Sequence, residues 1–360
     1  MKRLGTMLLV LAALWLAISP VLAAVNPPVD EALAWLRTQQ QADGGITSGF
    51  AEGSDLGATV ETILAATAAA QDPAAWEPSP LPYLEALAAD AEDATAMSRL
   101  LVAAVALRQD PRDFGGVDLI AALLAVQDSA TAQFGDSLYA HAYALLALHN
   151  AGVALPEDAV QLLVDQQQDA GGWAMFGGFE ADTADTNTTA LAVQALVAAG
   201  ESDVAQAALP YFRAMQNEDG GFPWQKPSEY GTDTDANSTA VVVQALTALG
   251  EALDDWGAEE GTPLEALLAL WDEDTGAYHW QAAMPGANVL ATAQAVQALM
   301  GANLVELPVA GEIMVIMAEP PAEEPAPVTM PEAGGPFVGG LLVLAGAALI
   351  GGGLALRRWL

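Results

Sequence analysis

The strongest constraint on the fold of this chain is an internal repeat. The segment Asp185–Leu196 (DTNTTALAVQAL) returns fifty residues later as Asp235–Leu246 (DANSTAVVVQAL). A third copy, Leu290–Leu299 (LATAQAVQAL), ends 53 residues after the second. A repeat of this length is typical of a supersecondary unit that buries its apolar face only against its neighbours. The sequence therefore predicts a repeat architecture with one continuous core.

Each repeat predicts two helices joined by a polar loop. In the best-preserved copy, Gly171 and Gly172 suit the end of the first helix, because glycine tolerates the left-handed backbone found there. The second helix begins after a cap at Asp185, Thr186 or Asn187. It is rich in Ala and apolar on nearly all sides, as expected of a helix that other helices bury.

These repeats resemble those of the prenyltransferase and squalene cyclase superfamily. The segment 168–173 matches the Gln-x2-Gly-x-Trp part of its QW repeat, and the segments 41–46 and 216–222 are looser versions. Six units between residues 30 and 303 fit this plan. The resemblance implies an all-α fold, an α6/α6 toroid of six helical-hairpin repeats with six inner and six outer helices. It also implies a structural role for Gln168 and Trp173, which tie helix ends together in that superfamily.

Two asparagines stand where the resemblance places a catalytic acid. Cyclases of the superfamily carry Asp-x-Asp-Asp-Thr-Ala at the start of an inner helix, and the middle Asp protonates an alkene or epoxide. The corresponding residues here are Asn187 and Asn237. An amide cannot deliver that proton. We therefore expect the known cyclase mechanism to fail, assign no catalytic residue, and leave open whether the chain is an enzyme.

The sequence predicts no cofactor and no metal site. The chain has no Cys, and its three His lie scattered, so the zinc site of protein prenyltransferases and the thioester of the thioester-protein toroids are both excluded. The segment 288–299 resembles the cobalamin carriers of this fold, which leaves a carrier-like role open. A pair of glycan-cleaving carboxylates stays open as well. The segment 233–237 resembles a calcium loop superficially, but N-capping explains the same acids without an ion.

The loops before the inner helices carry the candidate site. All units point the same way, so these loops converge at one end of a toroid. Aromatic walls with a few polar groups suit sugars or flat apolar ligands. We predict non-catalytic binding of a small molecule, glycan or partner, with a divergent cyclase or prenyltransferase-type enzyme as the alternative. Packing of loop against loop is the other interpretation of the aromatics. The candidate ligand-binding residues are Trp173, Phe176, Phe179, Asp182, Asp185, Trp224, Tyr230, Asp233, Asp235, Tyr278 and Trp280.

The two ends of the chain predict export and anchoring. Residues 1–23 have the charged start and apolar stretch of a signal peptide, with an uncleaved anchor as the alternative. The predicted toroid covers residues 24–303, and an apolar tail with a Pro/Glu-rich stalk covers 304–336. Residues 337–356 carry no charge and reach about 30 Å, the thickness of a bilayer core. Arg357 and Arg358 follow at once, which indicates that residues 357–360 form a cytoplasmic tail.

The segment Met330–Gly334 resembles the Leu-Pro-x-Thr-Gly signal that sortases cut, with Met for Leu and Ala for Thr. Sortase processing and a plain membrane anchor both stay open. We expect the protein at the cell membrane or cell surface, with the toroid extracellular. A net charge of −36 excludes nucleic acid as a partner. The expected partners are the membrane, through the C-terminal helix, and an unknown small molecule, glycan or surface protein.

Overall fold

The computed structural model describes residues 27–180, 182–229 and 231–312, all within one compact unit, Met1–Ile316. The predicted signal peptide (1–23), the stalk beyond residue 312, the sorting segment and the predicted membrane helix (337–356) lie outside the described residues. Within the described ranges, no helix has the length and apolar character needed to cross a membrane.

The described residues are mostly helical. A short antiparallel hairpin of strands β1 (His279–Gln281) and β2 (Met284–Ala287) precedes the last helix. The sequence did not predict this hairpin, because its strands are only three and four residues long and show no alternation of apolar and polar residues. In chain order, the α-helices are α1 (Pro27–Thr38), α2 (Leu56–Ala68), α3 (Leu81–Ala88), α4 (Ala94–Ala106), α5 (Leu119–Ala125), α6 (Leu138–Asn150), α7 (Glu157–Asp165), α8 (Thr186–Ala199), α9 (Ser202–Gln206), α10 (Leu209–Met215), α11 (Ala236–Ala248), α12 (Pro263–Leu268) and α13 (Val289–Leu299).

Six of these helices form a closed inner ring. Helices α2, α4, α6, α8, α11 and α13 pack side by side in that order, and α13 packs on α2 to close the ring. Helices α1, α3, α5, α7, α9 and α12 each pack on one or two members of this ring from outside. The predicted helical toroid is therefore confirmed. Its fifth outer helix is split into α9 and α10, where Pro210 lies in the first turn of α10 and cannot continue a helix from behind.

The six ring helices begin at one end of the ring, which we call the capped end. Each begins after a cap residue whose side chain accepts a hydrogen bond from the backbone N–H three residues later. Loop contacts place neighbouring starts together: the N–H of Leu138 donates to Met175 O, and that of Thr186 donates to Trp224 O. The cap residues are Asp55, Asp93, Ser137, Asp185, Asp235 and Asn288.

A repeated hydrogen bond ties each loop to its ring helix in five of the six units. The residue four after the cap accepts the backbone N–H of a fully buried anchor residue from the preceding loop. Because both partners are buried, this bond fixes the height of the loop against the helix. The anchors and their acceptors are Ile46 and Thr59, Phe134 and His141, Trp173 and Thr189, Phe222 and Thr239, and Tyr278 and Thr292.

Glutamines six residues before an anchor connect consecutive repeats. Gln167 donates to Gly171 O and to Val204 O of the next repeat, and Gln40 and Gln216 do the same in their repeats. The resemblance assigned this connection to Gln168. The side chain of Gln168 instead donates to Gly178 O and Thr183 Oγ1 within its own loop, so its role is structural but local.

The chain after α13 crosses the end of the ring opposite to the capped end. We call residues 302–312 the strap. The N–H of Leu304 donates to Oε1 of Gln194 on α8, and Asn150 at the end of α6 donates to Leu304 O. Further along, the N–H of Ala310 donates to Ala106 O at the end of α4. The predicted apolar tail thus begins as a covering of this end.

Candidate functional site

Two positions of the ring helices face the interior of the ring. Counted from the cap, they are the second and the sixth residues, which lie on one face because they are four residues apart. Their side chains interact across the ring: besides burial, the charge of Glu61 on α2 raises the pKa of Tyr139 and of Tyr143 on α6, although α4 lies between these helices. In these largely buried helices, five second positions and three sixth positions keep accessible surface. The accessible residues are Thr95, Tyr139, Asn187, Asn237 and Leu290 at the second position, and Glu61, Arg99 and Gln294 at the sixth.

Accessible surface on residues inside a closed ring indicates a cavity, which we call the ring cavity. Its floor is the next inward layer, nine residues after each cap, where every side chain is buried. The strap lies beyond this floor, so the cavity lies towards the capped end. The floor residues are Leu64, Val102, Leu146, Gln194, Gln244 and Gln297.

Glu61 is the one carboxylic acid among the six ring helices. Gln297 Nε2 donates to Glu61 Oε2 over 2.8 Å, and the side chain of Gln294 lies near enough to lower the pKa of this carboxyl. Burial raises the pKa of Glu61, and the two glutamines and the positive charge of Arg99 oppose that shift. The carboxyl therefore holds its proton to a higher pH than an exposed glutamic acid does.

Arg99 is the one Lys or Arg among the six ring helices, and it occupies the same register on α4 as Glu61 does on α2. Its guanidinium lies over Gly57, where an added Cβ would be 3.0 Å from Nη1. Burial lowers the pKa of Arg99, but two tyrosines and the carboxylates of Glu61 and Asp55 outweigh this and raise it. Glycine at the second position of α2 therefore makes room for a permanent positive charge inside the ring.

Two tyrosines of α6 complete this half of the cavity. Burial and the nearby Glu61 raise the pKa of Tyr139 to about 12. Burial raises the pKa of Tyr143 as well, and its hydroxyl has no hydrogen-bond partner among the described residues. Both phenols stay neutral near pH 7 and offer O–H donors.

The other half of the cavity is formed by amides and aliphatic side chains. Asn237 Nδ2 donates to Gln294 Oε1 over 2.7 Å, and Gln294 in turn reaches Glu61. Leu191 and Val241 occupy the sixth positions of α8 and α11. The cavity thus has a charged, phenolic side and an amide-lined, apolar side.

Asp185 and Asp235 cap α8 and α11 and are each only 2% exposed. Asp185 Oδ1 accepts the N–H of Thr188 over 2.8 Å, and Asp235 accepts both the N–H and the hydroxyl of Ser238. Burial raises the pKa of each carboxyl to about 6 in spite of these bonds. The two carboxyl groups therefore cap the N-termini of α8 and α11.

Asn187 and Asn237, two residues beyond these caps, are the residues that face the cavity. The position of the cyclase acid is therefore correctly oriented in this chain but carries an amide at both helices. The sequence had left Asn187 open as a cap; the structure places the cap at Asp185. Asn187 Oδ1 is buried without a partner among the described residues.

Two predicted site aromatics belong to the core. Trp173 and Tyr278 are fully buried anchors, and Trp173 Nε1 donates to Leu163 O over 2.8 Å. Their backbone bonds to the ring helices hold them between the two helix layers. They therefore do not contact the ring cavity from the loops.

Other predicted residues lie on the loops of the capped end. Phe176 and Phe179 are 78% and 63% exposed, Trp224 is 37% exposed, and Trp280 is half-buried on β1. Asp182 and Asp233 are exposed, whereas Tyr230 lies outside the described residues. With further exposed apolar residues of the same loops they form what we call the rim, whose large apolar members are Phe50, Met175, Phe176, Phe179, Trp224 and Met284.

Asp233 also lines a cleft of about 830 Å³ outside the ring, with Asp219, Glu260 and Lys226. In the described ranges, no three His, Cys, Asp or Glu residues are grouped so that they would hold a metal ion. None of the residues that line this cleft is a second- or sixth-position residue of a ring helix, so it is distinct from the ring cavity.

Sequence reasoning missed Glu61, Arg99 and the two tyrosines. The signal was present, because one acid and one base stand alone in six helices that otherwise lack Asp, Glu, Lys and Arg. The two residues can be recognised as a pair only when positions are counted from the cap of each helix, because this count places both at the same inward position.

Comparison with solved structures finds the same fold in proteins of different activity. The type II terpene cyclase MstE from Scytonema aligns with a TM-score of 0.55 at 14% identity, over 76% of this chain and 96% of that one. Candida albicans protein geranylgeranyltransferase-I complexed with GGPP gives 0.53 at 10% identity, over 75% and 90%. Haptocorrin in complex with Cbi gives 0.51 at 13% identity, over 80% and 69%. No curated protein sequence matches the chain.

The sequence itself matches a family model over most of its length. The model is that of the prenyltransferase alpha-alpha toroid domain, and it matches residues 5–107 and 137–267. These two ranges contain five of the six ring helices, α2, α4, α6, α8 and α11. The chain therefore belongs to the prenyltransferase alpha-alpha toroid family.

Proposed function

We propose that this chain binds one small molecule inside the ring cavity, without converting it. The observation that supports this most strongly is that Glu61 and Arg99, both half-buried, occupy matching inward positions on adjacent helices. Apolar side chains of similar size would stabilise the ring as well or better, because desolvating two charges costs several kcal/mol each. Charges kept in such a place are typical of a functional site.

The rim gives this cavity an approach that suits an apolar ligand. Phe176, Phe179 and Trp224 expose large apolar surfaces at the capped end, which is the end towards which the cavity lies. The aromatics predicted from the sequence then act at the entrance, while the polar contacts lie deeper. A glycan or a surface protein bound at the rim is the broader form of the same proposal.

Absence of conversion is proposed because of Asn187 and Asn237. Both face the cavity at the position where the family resemblance places an acid, and neither amide is a proton donor for an alkene. Tyr139 and Tyr143 are too weakly acidic for that step near pH 7.

The experiment uses compounds bound by proteins of the same fold. MstE variants hold geranylgeranyl dihydroxybenzoate, the Candida albicans enzyme holds GGPP and haptocorrin holds Cbi. Each compound is titrated into the full chain and into Leu290→Trp, which fills the cavity from α13. We expect at least one compound to bind at one per chain and to bind at least about tenfold more weakly to the variant.

The matched control is Leu124→Trp, which places the same side chain on the outer helix α5, where Leu124 is 36% exposed. This control should bind like the wild type. Binding that Leu290→Trp leaves unchanged, or no binding of any of the three compounds, contradicts the proposal.

A divergent cyclase-type enzyme is the second candidate function, and Glu61 is the observation that favours it. It is the carboxylic acid that faces the cavity, and burial raises its pKa, which is the property a proton donor needs. Incubation with geranylgeranyl dihydroxybenzoate and mass analysis of the products tests this. A cyclised product that is lost in Glu61→Gln but retained in Asp185→Asn supports the enzyme and overturns non-catalytic binding.

For the location of the protein we propose display outside the cell, held by residues 337–356. The apolar, uncharged composition of that segment and the basic residues after it support this. Sortase processing at Met330–Gly334 is the alternative mode of attachment. Substituting Pro331 and Gly334 separates the two, since a plain anchor tolerates both changes.

A further inference from the structure

Glu61 and Arg99 carry opposite charges at matching positions of the adjacent helices α2 and α4, but they form no ion pair. Within the described part of the chain, the ion pairs within 4.0 Å are Arg108–Glu312 and Arg112–Asp118, both on the surface. Glu61 and Arg99 still interact electrostatically. Two opposite charges on adjacent helices that hold a gap between them leave room for a bridging group.

The hydrogen bonds around this gap are satisfied on one side only. Glu61 Oε2 accepts from Gln297, and Gln294, which accepts from Asn237, lies beside the same carboxyl. In contrast, no hydrogen bond of the Arg99 guanidinium is found among the described residues, although it carries five N–H donors. Arg99 is only half-buried, so these donors face the ligand or solvent that fills the cavity.

The hydroxyl of Tyr143 adds to this deficit. It is buried, has no partner within the described ranges, and lies close enough to Arg99 and Glu61 for their charges to affect it. The gap is therefore rich in donors on the side of α4 and α6 and offers a carboxylate acceptor on the side of α2. A group placed there must accept from the first side and donate to the second.

The charge of the gap selects against strongly anionic head groups. The two formal charges cancel, and neither Lys nor another Arg occurs in the six ring helices. The pair therefore offers a diphosphate no net positive charge, and the chain as a whole carries a net charge of −36. Desolvating a charge that stays uncompensated costs several kcal/mol, which exceeds a tenfold change in affinity.

We propose that the gap between Glu61 and Arg99 takes the hydroxyl of an uncharged amphiphile, whose oxygen accepts from Arg99 and whose O–H donates to Glu61. The aliphatic side of the cavity, with Leu191, Val241 and Leu290, takes the apolar part. The ligand class is therefore an apolar alcohol. This inference rests on the proposed function and specifies its ligand.

A pair of probes with one tail and two heads tests the inference. Geranylgeraniol and geranylgeranyl diphosphate are bound to the full chain in mild detergent at pH 8, and their dissociation constants are compared. We expect the alcohol to bind at least about tenfold more tightly. Tighter binding of the diphosphate, or no binding of the alcohol, overturns this inference.

Charge-changing variants show whether this pair of residues is the cause. Glu61→Gln keeps an acceptor for Gln297 and leaves Arg99 uncompensated, so diphosphate binding should strengthen by at least about tenfold. Arg99→Gln leaves the charge of Glu61 uncompensated, so the affinity for geranylgeranylamine, which carries a positive charge, should rise by a similar factor. The controls Glu92→Gln and Arg112→Gln make the same charge changes at exposed positions and should leave both affinities unchanged. Circular dichroism melting identifies any variant that fails to fold.

The result separates this inference from the proposed function. If the wild-type chain prefers the diphosphate and Leu290→Trp still blocks binding, the ligand does lie in the cavity. That result overturns only the proposal that the ligand is an alcohol. Equal effects of Glu61→Gln and Glu92→Gln overturn the role of the pair. If Leu290→Trp leaves binding unchanged, the ligand does not bind in the ring cavity and the proposed function is contradicted.

Discussion

Removing the buried charge at the start of α8 is predicted to stabilise the protein. Asp185 is 2% exposed, and its pKa rises from 3.8 to about 6 on folding, chiefly because of burial. The folded state therefore holds this proton more tightly than the unfolded state does. As pH rises from about 4 to about 6, the folded state loses stability relative to the unfolded state, and the penalty is constant above that range.

The magnitude follows from the size of the shift. A change of about two pKa units corresponds to about 3 kcal/mol at pH 8, and to about half of that at pH 5. Asp185→Asn removes the titrating group but keeps Oδ1 as an acceptor for the N–H of Thr188, and Asn caps helices about as well as Asp. We expect the variant to exceed the wild type by up to about 3 kcal/mol at pH 8 and by about 1.5 kcal/mol at pH 5.

Urea unfolding followed by circular dichroism measures this difference at the two pH values. Measurements stay at pH 5 or above because the isoelectric point of the chain is near 4.1. The matched control is Asp93→Asn, an exposed carboxyl that caps α4 with the same bond geometry; it should change stability by less than about 0.5 kcal/mol at either pH. A loss of stability in Asp185→Asn at pH 8, or a gain that does not depend on pH, would show that burial of this carboxylate does not destabilise the folded protein.

Three further predictions concern the anchors, the strap and the ends of the chain. Trp173→Ala removes a fully buried ring and the hydrogen bond to Leu163 O, so it should lower the free energy of unfolding by about 3 to 5 kcal/mol. The control Phe176→Ala, at a side chain that is 78% exposed, should lower it by less than about 0.5 kcal/mol, and equal losses would contradict the anchor role. Gln194→Leu leaves the buried N–H of Leu304 without its acceptor, so the free energy of unfolding should fall by about 1 to 3 kcal/mol. Proteases should also cleave residues 302–312 faster than in the control Gln161→Leu, an exposed position on α7, and an unchanged cleavage pattern would contradict the role of the strap. Deleting residues 337–360 should release the toroid into the medium of expressing cells, as seen by immunoblot; retention on membranes would mean that another segment anchors the chain.

The ring and its caps were predictable because they depend on local, repeated signals. Asp185 and Asp235 begin closely similar segments fifty residues apart, and an Ala-rich helix without a polar face has to be surrounded by others. Closure was implied by family resemblance, and the packing of α13 on α2 confirms it. The break between α9 and α10 and the hairpin β1–β2 escaped prediction because a single proline and two very short strands carry too little periodic signal.

The candidate site was only partly predictable. Aromatics before the ring helices suggested one binding end, and Phe176 and Phe179 do lie exposed there. Trp173 and Tyr278 share that sequence position, but their backbone N–H groups bond to Thr189 and Thr292, which draws the rings into the core. Distinguishing the two groups requires the hydrogen bonds of the loop, which depend on contacts distant in sequence.

Glu61 and Arg99 illustrate the opposite case. Each is a lone charge in an apolar helix, and a sequence pattern alone does not tell whether such a charge points outwards or into the ring. The cap-based register settles it, because the sixth position is inward in every ring helix. The pairing of the two residues depends on α2 and α4 being neighbours, and the room for the guanidinium depends on Gly57.

A crystal structure of the full chain grown with geranylgeraniol locates the ligand relative to the ring. We expect density for one molecule inside the ring, with its oxygen between the Glu61 carboxyl and the Arg99 guanidinium and its tail along Leu191 and Leu290. Density confined to the rim at Phe176, Phe179 and Trp224, or an unoccupied ring at saturating ligand, would contradict the proposal.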